Sequence, residues 1–182
     1  MGLLDRLRRH QPVGRDETED LATILAFVTA HADPFDRQIP QAHLTASAFV
    51  FSPDGKQVLL LHHRKLDRWL QPGGHAEAGE TSGEDVALRE AREETGIGAL
   101  RLHPDAPRPL DVDVHEIPVH GRDPAHLHLD LRYVVIAPDG AALLRSAKET
   151  NALRWFEWDA LGGLGLDGGL RRGLSKARRL FA

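Results

Sequence analysis

The chain has 182 residues, enough for one domain with a sizeable core, and it contains no cysteine. That excludes a disulfide framework, a thiolate metal site and a thiol nucleophile. A net charge of −4 and a pI near 6.2 argue against bulk nucleic-acid binding. No apolar run approaches membrane-spanning length. The start, MGLLDRLRRHQ, lacks the apolar stretch and cleavage site of a secretory signal. Arg6 stands where a myristoylation signal wants Ser or Thr. A cytoplasmic protein without a membrane partner is the default expectation.

Taken in chain order, the apolar residues Leu21, Ile24, Leu25, Phe27 and Val28 predict an amphipathic helix over residues 16–31, stopped by Asp33-Pro34. Residues 43–52 read as a strand, Pro53-Asp54-Gly55 as a turn, and 56–63 as the returning strand. Trp69-Leu70-Gln71 leads into a glycine-rich turn at Pro72-Gly73-Gly74, and a helix follows over 82–95. Strands are expected at 99–103, 110–119, 126–136 and 153–156, with a turn at Pro138-Asp139-Gly140. A short helix at 159–161 and a C-terminal helix over 170–180 complete the pattern. The basic runs at residues 6–10 and 171–179 read as the wet faces of terminal helices.

The most informative stretch is GGHAEAGETSGEDVALREAREETGI, residues 73–97. Glu90, Glu93 and Glu94 stand at i, i+3 and i+4, which puts three carboxylates on one helical face. Like charges at that spacing repel unless a cation joins them, and Mg²⁺ favours carboxylate oxygens, waters and phosphates. Alone, such a triplet would be a solvated acidic face; the flanking glycines turn the reading toward a metal-binding helix.

The stretch resembles the Nudix box. Gly74 and Glu80 fit with five residues between them, and Arg89, Glu90, Glu93, Glu94, Gly96 and Ile97 fit the helical half. Seven fixed identities at about 7% each arise by chance at on the order of 10⁻⁸ per register. Ala91 stands where a larger aliphatic residue is usual. Residues 81–88 number eight rather than seven, an addition near Gly83 that bears on the direction of the Glu80 side chain. Thr81 and Ser82 are N-cap residues, and Ser82 with Asp85 resembles a capping box.

The resemblance implies an α/β fold, a helix–mixed sheet–helix sandwich with an extra N-terminal helix. Residues 1–36 would form the helical extension, and 37–182 the Nudix-type domain with its C-terminal helix. It also implies metal-dependent hydrolysis of a diphosphate linkage in a nucleoside diphosphate joined to another group. Glu90, Glu93, Glu94 and the Gly74 carbonyl would hold Mg²⁺ or Mn²⁺. Arg89 would orient a carboxylate. Glu93, Glu94 or a glutamate on a later loop would activate water, and Glu149 is the later-loop candidate; as a single charged loop residue it reads equally as a solvated one.

Other patterns come from the residues themselves. His62, His63, Arg64, Lys65 and Arg68 form a basic loop ahead of the box, either flexible or placed to meet substrate phosphates through Arg64 and Arg68. Trp69 reads as core packing first and as a base-stacking platform second. On residues 126–133, His126, His128, Asp130 and Arg132 share one strand face, and Asp111, Asp113 and His115 repeat the pattern. His128 and Asp130 are therefore expected to line the substrate cleft; the other readings are a wet sheet face and a further metal site.

The expected partner is a small-molecule nucleotide diphosphate derivative, and homodimer formation is open. A non-catalytic nucleotide-sensing module of the same fold is the alternative; such modules tend to lose box glutamates, and all three are present. A diphosphate isomerase of this fold would need a catalytic cysteine, which the chain lacks.

Overall fold

The computed structural model describes residues 2–119, 124–144 and 150–182. Two helices open the chain, α1 (Leu3–Arg8) and α2 (Gly14–Ala30). The strands are β1 (Ala42–Phe51), β2 (Gln57–His63), β3 (Arg68–Leu70), β4 (Gly73–His75), β5 (Arg101–Leu102), β6 (Asp111–Ile117), β7 (His126–Ile136) and β8 (Thr150–Glu157). Helix α3 (Gly83–Thr95) lies between β4 and β5, and α4 (Gly168–Arg178) follows a 3-10 segment at Trp158–Gly163.

The strands form one mixed sheet with β3-β2-β1-β7-β5 along its spine; β4 pairs with β1, β6 with β7, and β8 with β2. The central pair, β1 and β7, is parallel over ten positions, from Ala42↔Leu127 to Phe51↔Ile136. The other pairings are antiparallel. Period-two alternation sorts the side chains of β1 between two cores. Leu44, Ala46, Ala48 and Val50 pack with Val86, Ala87 and Ala91 of α3 and with Leu7, Leu21 and Ile24 of the N-terminal helices. Phe49 and Phe51 pack on the opposite side with Leu170, Leu174 and Ala177 of α4. This is the expected helix–mixed sheet–helix sandwich, and the N-terminal helices share its main core.

Several elements differ from the expectation. Gly73-Gly74 is not a turn but part of β4, in register with β1 through Ala46↔Gly74 and Ser47↔Gly73. Close approach explains the glycines: a Cβ at Gly73 would lie 2.4 Å from the Ser47 Cβ, and one at Gly74 2.6 Å from Glu90 Oε1. The turn falls later, at Gly79, whose φ of +91° suits glycine. Strand β8 is longer than expected because it pairs along nearly all of β2. The segment at Asp159 is a 3-10 turn, and α1 is an added short helix.

Candidate active site

Helix α3 begins at Ser82, whose Oγ accepts the Asp85 amide at 3.3 Å, and ends at Gly96 with φ +72°. Val86, Ala87 and Ala91 are buried, and the two alanines let the helix approach β1 closely. Gly83, where the added residue falls, is the first helical residue. A Cβ there would meet the Tyr133 hydroxyl at 2.7 Å, so the addition is absorbed where only glycine fits. Beside it, Glu84 pairs with Arg6 of α1 and accepts the Tyr133 hydroxyl at 3.3 Å. The N-terminal extension is thereby tied to the start of the box helix.

Arg89 is the hub of the site. Its Nε and Nη2 each donate to Glu80 at 3.0 Å, its Nη1 donates to Glu90 at 3.0 Å and to Glu93 at 3.4 Å, and its Nη2 also donates to the His75 carbonyl at 2.7 Å. The hydrogen bonds from Arg89 hold the Glu80 carboxyl below its usual range, and those to Glu80 raise the guanidinium further. Glu80 therefore reaches the helix despite the added residue, helped by the Glu77 amide, which donates to it at 2.8 Å. Glu94 accepts the Gly73 amide at 2.9 Å. The Glu93 side chain is 57% exposed. Strand β4 thus touches two of the three helix carboxylates, Glu94 through an amide and Glu90 through the space left by the missing Cβ of Gly74. Three carboxylates with one guanidinium between them, beside a bare glycine strand, are a donor set that suits a hard divalent cation. A cleft of about 230 Å³ lies alongside, between the loop carrying Phe35 and Arg37 and the loop carrying Glu77 and Glu80.

The remaining expected residues fall in different places. Arg64 is exposed and its Nε donates to Asn151 at 3.2 Å; Arg68 is exposed on β3. Trp69 is half-buried, edge-on to Phe156 at 4.7 Å between ring centres, which is the packing role. Glu149 lies outside the described residues.

Asp130 is 4% exposed. It accepts Ser47 Oγ at 2.6 Å, Thr45 Oγ1 at 3.1 Å and Arg132 Nε at 3.2 Å, so its acceptor capacity is taken up inside the sheet. This corrects the expectation that it lines an open cleft; the hydroxyls of β1 claim it first. Arg132 continues the network to Asp111 and Asp113, where Arg172 and Lys176 of α4 join, and Lys176 also meets Glu17 of α2. Burial pushes the Glu17 carboxyl up, but His10, Lys176 and the Val13 amide outweigh it and hold the group at about 2.

His128 joins two histidines that sequence reasoning did not single out. His43, His75 and His128 each offer a ring nitrogen, and these atoms lie within 4.8 Å of one another. His75 Nε2 and His128 Nε2 are 3.0 Å apart. His43 is 3% exposed, and its ring nitrogens make no well-formed hydrogen bond, the Ile39 backbone approaching only at poor geometry. Such a buried group costs about 1–3 kcal/mol if left so. Burial lowers all three: His43 and His75 to about 4, His128 to about 2; neighbouring histidines add to the effect at each, and Arg37 at His43 and His75. The pairing His43↔His128 would have revealed the cluster, but it follows only from the parallel register of β1 and β7.

Comparison with known proteins agrees with the box. The NUDIX domain family model matches residues 41–178. A Mycobacterium tuberculosis protein provisionally named 8-oxo-dGTP diphosphatase 3 is 32% identical over 133 residues, 69% of this chain and 56% of its own length. The chain thus spans little more than half the length of the curated relatives it matches. Among solved structures, a MutT NUDIX hydrolase from Burkholderia pseudomallei superposes with TM-score 0.58 at 24% identity, over 75% of this chain and 98% of that one. A C. elegans Ap4A hydrolase superposes with TM-score 0.57 at 19% identity, over 75% and 95%. At these identities the structural likeness speaks for the fold, a Nudix-type sandwich. With the family model covering most of the chain and the box residues gathered around Arg89, the protein belongs to the NUDIX domain family.

Proposed function

We propose that this protein is a pyrophosphohydrolase that cleaves a diphosphate linkage in a nucleoside diphosphate joined to another group, with Mg²⁺ or Mn²⁺ as cofactor. The observation that carries the reading is Arg89 binding Glu80, Glu90 and Glu93 together, beside a strand that meets Glu90 and Glu94. Glu90, Glu93, Glu94 and the Gly74 carbonyl would hold the divalent ion, which neutralises phosphate oxygens and lowers the pKa of water. Arg89 orients the carboxylates and fixes the Glu80 loop to the helix. Arg64 and Arg68 extend from the neighbouring loop and strand as phosphate contacts, and Trp69 anchors that region. His128 lies on the face of β7 that meets His43 and His75, turned away from α3. Water activation falls to Glu93, Glu94 or Glu149.

Retention of all three helix glutamates favours catalysis over a sensing module. The test is a hydrolysis screen with Mg²⁺ and Mn²⁺ over 8-oxo-dGTP, dinucleoside polyphosphates, ADP-ribose and nucleotide sugars, with products identified by mass. Cleavage between phosphates, abolished by chelator, is the expected result. Binding of a nucleotide with no cleavage of any panel member would replace the enzyme by the sensing module. Full kcat in Glu149→Gln would leave activation to the helix.

A further inference from the structure

We propose that His43, His75 and His128 form a second metal site, for Zn²⁺ or a like transition-metal ion rather than Mg²⁺, and separate from the box carboxylates. It lies across the sheet from α3. His43 alternates with Leu44 and Ala46, which pack on α3, so it points the other way. In β4, Gly74 faces Glu90 whereas Gly73 faces Ser47, and His75 shares the Gly73 side. His43 and His128 stand opposite each other in the parallel register. Three elements therefore deliver one imidazole each to a single point.

The donor chemistry selects the ion. The three ligands are imidazole nitrogens, which suit zinc and its neighbours and not Mg²⁺. Tetrahedral Zn²⁺ with Zn–N near 2.0–2.1 Å sets ligand nitrogens about 3.3 Å apart. The His75–His128 separation of 3.0 Å is already close to that edge, and the 4.8 Å span of the group needs only small side-chain shifts to close.

A hydrogen bond between His75 and His128 accounts for those two rings. It leaves His43, buried with no well-formed hydrogen bond to either nitrogen and set against the other two rings at 5.0 Å between centres, still to be accounted for. A cation at the centre gives it a role. Two further imidazoles flank the group: His115, 5.5 Å from the His128 ring and held by Asp113 at 3.1 Å, and His126, 4.9 Å from the His43 ring and held by the Pro124 carbonyl at 2.9 Å. Three protein ligands leave the fourth position for water or a ligand atom.

The test uses tag-free, chelator-treated protein titrated with Zn²⁺ alone by calorimetry, with millimolar Mg²⁺ present to occupy the carboxylates. The expected result is one zinc per chain. His43→Ala and His128→Ala weaken binding by about 100-fold or more, while Glu90→Gln and Glu94→Gln leave it unchanged. Co²⁺ in place of Zn²⁺ should give the visible absorption of a tetrahedral site. The unaltered protein should also gain thermal stability with Zn²⁺ beyond that with Mg²⁺, a readout independent of whether any variant folds. No saturable zinc uptake, uptake indifferent to the histidines, or uptake lost with the box glutamates would each overturn the proposal.

Discussion

Two groups of charged side chains lie on opposite flanks of the sheet, and their charge balance differs. Around Arg89, the carboxylates of Glu80, Glu90 and Glu93 share one guanidinium, with Glu94 beside them on the Gly73 amide. Around Asp111, the acids Glu17, Asp111, Asp113 and Asp130 meet Arg132, Arg172 and Lys176. The second group is buried and nearly neutral, as a charged cluster must be where water cannot help. The first keeps an excess of negative charge at a partly open surface. A surplus left in reach of solvent marks a place for a cation; a surplus cancelled in the interior marks a brace between elements. Here the brace joins α2, β6, β7 and α4.

Variants should separate the two groups. The largest effect is expected from Glu90→Gln or Glu94→Gln, each lowering kcat/KM by on the order of 10²–10⁴-fold with little change in the unfolding midpoint, measured by initial rates and urea titration. Comparable loss of stability would move these residues into the bracing class. Lys176→Met should do the reverse. It removes one cation from Glu17 and Asp111, leaving them to His10, Arg132 and Arg172, and should lower stability by up to about 3–5 kcal/mol, while kcat of the folded fraction holds.

The brace also predicts a pH dependence. The folded Glu17 carboxyl sits at about 2, below its ordinary value of 4.5. The stability it supplies is therefore present above about pH 4.5 and fades as pH falls toward 2. The stability gap between the native chain and Glu17→Gln should shrink over that window, and a gap constant from pH 7 to pH 3 would refute the assignment. A smaller effect is expected for Arg89→Lys, which keeps the charge but loses the fork reaching Glu80, Glu90 and the His75 carbonyl. Metal affinity, followed by Mn²⁺ titration, should weaken by about 10–100-fold. The smallest effect is expected at Arg68, exposed on β3. Arg68→Ala should raise KM only a few-fold, the worth of a solvent-screened charge contact of about 0.2–1 kcal/mol.

What the sequence revealed tracks how local each feature is. The box helix was legible because Glu90, Glu93 and Glu94 report their common face through spacing alone, and Ser82 and Gly96 mark its ends. Strand β7 was legible from alternation, with the expected bounds. Gly73-Gly74 misled because paired glycines usually signal a turn, whereas here they serve close packing against Ser47 and Glu90. The fate of Asp130 was hidden because its partners, Thr45 and Ser47, lie more than 80 positions away in the chain. The histidine cluster was hidden for the same reason: His43 and His75 carry no local signature, and only the sheet brings them to His128.

The parallel pairing of β1 and β7 also bears on how the molecule comes into being. A parallel pair cannot be closed by a hairpin, and Thr45 meets Asp130 across a separation of 85 residues. The entropy of closing so long a loop must be overcome before the contacts it brings can repay it, which slows such pairings relative to local ones. The carboxylate row of α3 exists as soon as one helix forms. The imidazole cluster and the Asp130 brace exist only after the chain has made its longest central connection. Refolding followed by a probe on α3 and by a probe near His128 should therefore report different clocks if any intermediate accumulates, with the helix running first.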